Sequence, residues 1–147
     1  MTRSLKLLAI GLVASACSQP VGPPLTVSDV VVLEPLAGSG IAAGYLVLEN
    51  HTDLPITIEK ITSPVFASVE MHETVIHDDI ARMISLASLV IERQSAVVFE
   101  PGGKHLMMFD ASGEIAAGVP VILEFHDSAN GLLTVATTVR SRAGLQD

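Results

Sequence analysis

Residues 56–62 read Ile-Thr-Ile-Glu-Lys-Ile-Thr. That apolar–polar alternation has the period of a strand with one buried face. Similar short runs, several continuously apolar, recur at 27–33, 43–49, 67–75, 81–86, 89–92, 96–100, 106–110, 119–126 and 132–138. Turn residues separate them: Gly38-Ser39-Gly40, Asn50 to Pro55, Pro64, His77-Asp78-Asp79 and Pro101-Gly102-Gly103. Many short strands at regular spacing predict an all-β sandwich or barrel. Nothing in the pattern suggests a repeat, a coiled coil or a second domain.

The first residues follow another rule. Arg3 and Lys6 precede a short apolar run, Leu7 to Ala14, and then the small residues Ala14-Ser15-Ala16. The run is too short to span a bilayer, which needs about 20 residues, and it fits a secretory signal. Cys17 follows at once and is the chain's single cysteine. Ala14-Ser15-Ala16-Cys17 resembles a bacterial lipobox, although leucine is commoner where Ala14 stands. The expected organisation is therefore a lipoprotein-type signal at 1–16, a Pro- and Gly-containing linker at 17–25 after a lipidated Cys17, and one domain at 26–147. Simple secretion after cleavage is the alternative. Either route places the mature protein in the bacterial periplasm, and a membrane is met only through the anchor.

Composition narrows the chemistry. Residues 17–147 number 131, a single-domain length. Loss of Arg3 and Lys6 takes the formal charge from −8 to about −10. So acidic a surface disfavours nucleic acid as a partner. With no thiol after Cys17, a blue-copper site and a cysteine-rich zinc site are both excluded. No Ser-His-Asp or Cys-His arrangement can be assigned, and no catalytic activity is expected. Pro101-Gly102-Gly103 lacks the Lys-Ser/Thr of a phosphate loop. Asp78-Asp79 is followed by no calcium-loop spacing. His51, His77 and His126 read as surface residues, with His77 in a loop.

Four residues stand apart. Ten residues separate His72 from Met83, twenty-one separate Met83 from His105, and one separates His105 from Met107. Taken singly, either methionine is ordinary core filler. On a strand, however, His105 and Met107 share a face, while Leu106 and Met108 take the other. Met71 should likewise point away from His72 and pack. Two imidazoles with two thioethers form a soft donor set that favours monovalent copper.

This H-x10-M-x21-H-x-M spacing resembles that of the PCu(A)C-type periplasmic copper chaperones. Flanking residues agree: Val69-Glu70-Met71-His72-Glu73-Thr74, Pro101 to Met107, and Ala42 to Asn50. The resemblance covers roughly residues 26–140. It implies a cupredoxin-like Greek-key β-sandwich or barrel in which His72, Met83, His105 and Met107 hold one Cu(I). It also implies delivery to a copper acceptor, such as the dinuclear site of cytochrome c oxidase or another copper chaperone. Envelope copper sequestration without a dedicated acceptor uses the same ligands and stays open. The third alternative is a metal-free interaction module.

Overall fold

The computed structural model describes residues 22–145. The signal at 1–16, Cys17 and most of the linker lie outside those residues. Ten strands follow in order: β1 (Leu25–Leu33), β2 (Ala42–Asn50), β3 (Ile56–Thr62), β4 (Phe66–His77), β5 (Ile80–Leu86), β6 (Leu89–Ile91), β7 (Ser95–Phe99), β8 (Lys104–Ala111), β9 (Pro120–Asp127) and β10 (Leu132–Arg140). A short 3-10 turn at Arg142–Leu145 ends the described chain. Every strand expected from the alternation is present, so the fold is all-β.

Most strand ends shift by one or two residues, and two of the shifts have a clear physical reason. β1 starts at Leu25, inside the expected linker, because Leu25 is buried and pairs with Asn50. β4 runs on to His77, which pairs with Ile80, so the turn shrinks to Asp78 and Asp79. Both have positive φ, 52° and 61°. A two-residue hairpin turn of the primed type needs this backbone, and aspartate tolerates it.

The strands close into an eight-stranded barrel, β4-β8-β7-β2-β1-β10-β9-β3, with β3 returning to β4 through Ile61 and Val69. Most neighbours are antiparallel; β1–β10 and β7–β8 are parallel. β5 and β6 lie outside the ring, β5 against the far half of β4 and β6 against the start of β3. The β4–β5 hairpin thus projects beyond the barrel.

Alternation fills the interior. Leu46 and Leu48 of β2, Leu106 and Met108 of β8, and Val121, Leu123 and Phe125 of β9 are all nearly inaccessible. Met71 packs into the same core, as expected for the residue beside His72. Among the described residues the buried polar ones are Asn50 and His105, and Asn50 is the more deeply buried. Its amide nitrogen lies 2.8 Å from the Leu54 carbonyl oxygen and 3.0 Å from that of Ile91, and its amide oxygen accepts from Thr52. It thereby ties the β2–β3 turn to the end of β6.

Gly44 sets how closely β2 can approach β8. A Cβ there would stand 3.1 Å from Met108 Cε and 3.2 Å from Leu106 Cβ. We expect Gly44→Ala to crowd Leu106, the residue between His105 and Met107, and to cost about 1–3 kcal/mol. A shift of the urea midpoint with unchanged slope is the measurement that checks it.

Candidate metal centre

Strand register brings the four residues to one outer face. On β4–β8, His72 pairs with His105 and Glu70 with Met107. On β4–β5, His72 pairs with Ser85 and Thr74 with Met83. Paired residues and their i ± 2 neighbours share a face. Met71, Leu106 and Met108 point inward, so His72, His105, Met107 and Met83 point outward. His72 occupies the centre, with His105 directly opposite. Met107 and Met83 fall on opposite diagonals about it, Met83 towards the hairpin tip. A diagonal separation of about 7–8 Å is within reach of a long side chain.

The four differ sharply in exposure. His105 is buried at 9%, Met107 is half-buried, and Met83 is 60% exposed. Met83 is therefore not core; the core methionines are Met71 and Met108. The two rings lie with centroids 6.0 Å apart and planes inclined by 36°. Of the five histidines, only these two come together. His77 is 81% exposed beside Asp78, and His51 is exposed and bonded to Thr26. His126 corrects the sequence reading: it is half-buried and lies 2.9 Å from the Thr62 hydroxyl, because β9 carries it against β3.

Each of the two clustered rings has one nitrogen tied and one free. His105 Nδ1 lies 3.0 Å from the Gly103 carbonyl oxygen, an acceptor, so Nδ1 donates and Nε2 keeps its lone pair. Gly103 is set by the preceding turn, in which Gly102 adopts φ of 80°. Its carbonyl also accepts from the Thr74 amide at 3.1 Å, locking the turn to β4. His72 Nε2 lies 2.9 Å from the Glu70 carboxylate. His72 Nδ1 is buried and has no hydrogen-bond partner among the described residues. Metal-binding histidines typically donate their second nitrogen to a carboxylate or a backbone carbonyl. Both rings match that arrangement, and the buried unpartnered Nδ1 of His72 is available as a donor to an ion. Among the described residues, no three His, Cys, Asp or Glu side chains form a metal group. The thioethers of Met83 and Met107 share this face with the two rings, and thioethers suit a soft ion.

Glu70 was legible in the sequence only as a flanking residue. Its position two before His72 on a strand is the pattern that places it on the same face. On the far side of β8, His105 and Met107 border a cleft of about 260 Å³ with Leu36, Ile41, Tyr45 and Arg142. Glu34 anchors that wall. Its carboxylate accepts from Ser141 Oγ at 2.8 Å and the Arg142 amide at 3.0 Å, and Arg142 Nε donates to its carbonyl at 2.7 Å.

A model of the LpqE-like family, described as "Putative lipoprotein LpqE-like", matches residues 25–139. The chain belongs to the LpqE-like family. A relative from Leifsonia xyli subsp. xyli, named "Putative lipoprotein Lxx21020", is 28% identical over 114 residues, covering 76% of this chain and 68% of its own. The LpqE-like barrel is also similar to solved PCuAC domains. The copper-bound PCuAC domain from PmoF2 superposes with a TM-score of 0.67 at 21% identity, over 81% of this chain and 94% of that one. The Cu(I) form of DR1885 from Deinococcus radiodurans gives 0.63 at 24% identity, over 88% and 84%. At these identities the likeness establishes the fold, a PCuAC cupredoxin-like barrel.

The hydrogen bonds from Ser141 and then Arg142 hold the Glu34 carboxyl below its ordinary value of 4.5. A lowered folded value means that its contribution is complete above pH 4.5 and lost as pH falls through the lower value. Amide-exchange protection at Arg142 should therefore persist at mildly acidic pH and fall below it. Glu34→Gln should remove that dependence.

Proposed function

We propose that this LpqE-like chain is a copper-binding protein of the bacterial envelope that holds one Cu(I) through His72, Met83, His105 and Met107. In this reading it passes the ion to a copper acceptor, such as the dinuclear site of cytochrome c oxidase, and acylated Cys17 keeps it at the membrane. The observation that carries the reading is the cross-strand imidazole pair with one free nitrogen on each ring. Copper in the PmoF2 and DR1885 structures supports it, as does the lipoprotein family name. The surrounding chemistry suits cargo rather than a resident cofactor. Neutral thioethers release a soft ion without needing to be protonated. Met83, on the exposed outer hairpin, is the donor an acceptor can replace first. His105, buried and braced by Gly103, is the donor that leaves last.

Copper titration of the mature domain tests the binding. One Cu(I) should bind with mixed nitrogen and sulfur scattering in X-ray absorption, and a shell without sulfur would refute the ligand set. Met83→Leu should weaken Cu(I) binding yet change fold stability by no more than about 0.5 kcal/mol, since the residue is exposed. Met107→Leu should also weaken binding, at a stability cost under about 1.5 kcal/mol. Loss of oxidase assembly on gene deletion would separate delivery from sequestration. Release of the Cys17→Ser protein from membranes would establish the anchor.

A further inference from the structure

The Glu70–His72 contact has no part in the ligand set, yet it lies at its centre. Glu70 and His72 are i, i+2 neighbours on β4, so their side chains share the outer face. The β4–β8 register also sets Glu70 directly opposite Met107. An ionised carboxylate only accepts hydrogen bonds. The 2.9 Å contact with Nε2 therefore requires the proton to sit on that nitrogen. In the neutral ring this leaves the lone pair on Nδ1, the buried atom without a partner. His105 shows the opposite assignment, because the Gly103 carbonyl takes its Nδ1 proton and leaves Nε2 free.

We propose that Glu70 is a positioning residue that fixes the His72 tautomer, so that copper meets Nδ1 of His72 and Nε2 of His105. Strand geometry explains why the two rings differ. They stand opposite each other on antiparallel strands. His105 finds its acceptor in the turn that precedes β8, whereas His72 lies mid-strand, where backbone carbonyls are committed to the ladder. A same-face side chain two residues away is then the available acceptor. Glu70 also restricts ring rotation, since a half-turn about Cβ–Cγ would put the Cε1–H edge where Nε2 now bonds the carboxylate.

This inference rests on the copper reading, but part of its test needs no metal. Nitrogen-15 NMR of the copper-free protein at neutral pH should show His72 protonated on Nε2 and His105 on Nδ1. Glu70→Ala should abolish the His72 preference and lower Cu(I) affinity about 10- to 100-fold, the usual effect of removing a ligand's supporting partner. Glu70→Gln, whose side-chain carbonyl still accepts, should keep the tautomer and most of the affinity. Glu70 is half-exposed, and unchanged thermal unfolding of both variants would exclude a general structural effect. A wild-type His72 protonated on Nδ1 overturns the proposal. So does a Glu70→Ala protein that binds Cu(I) as tightly as wild type while His72→Ala does not. If His72→Ala also bound normally, the ligand set itself would fall, and with it the part of the proposal that has copper meet His72 Nδ1.

Discussion

The antiparallel ladder between β4 and β8 is the constraint on which both the barrel and the candidate site depend. It pairs Met71 with Leu106 on the inside and His72 with His105 on the outside. A slip of one residue in either strand would turn its own histidine inward and expose Met71 in β4, or Leu106 and Met108 in β8. Several contacts oppose that slip. Gly44 admits Leu106 and Met108 closely against β2. Lys104 reaches Glu73 across the two strands at 2.7 Å, and the Gly103 carbonyl holds the Thr74 amide. The pressure to bury three large apolar side chains therefore also keeps the two imidazoles together.

The candidate site is enclosed at the His105 end and open at the Met83 end. His105 sits at the start of β8 behind a glycine-dependent turn, beside a cleft whose wall is fastened by Glu34. Met83 stands on β5, which is held to the rest of the sheet through β4. Such a gradient suits an ion that must be held and then surrendered. A partner protein could reach the Met83 side chain, 60% exposed, without opening the barrel.

Much of this was legible in the sequence, because a closed antiparallel barrel obeys simple alternation. Each run of apolar residues became a strand, and the shared face of His105 and Met107 followed from parity alone. What could not be read came from pairing across strands. Glu70, two residues from His72, acquired meaning only when β8 supplied Met107 and His105 opposite. The role of Gly44 depends on side chains more than sixty residues away. The burial of Leu25 depends on Asn50, and the seating of His126 on Thr62, neither of which local pattern reveals. The choice between core and surface for Met83 was likewise decided by where β3 leaves β4.

Strand parity also divides β8 between two kinds of selection. From 105 to 108 the chain alternates between candidate donors on the outer face and residues packed in the interior. Substitutions at 106 and 108 act first on the packed interior, and those at 105 and 107 first on the outer face. The outward-facing positions of this strand can therefore be exchanged for other side chains while the inward-facing ones keep the same barrel.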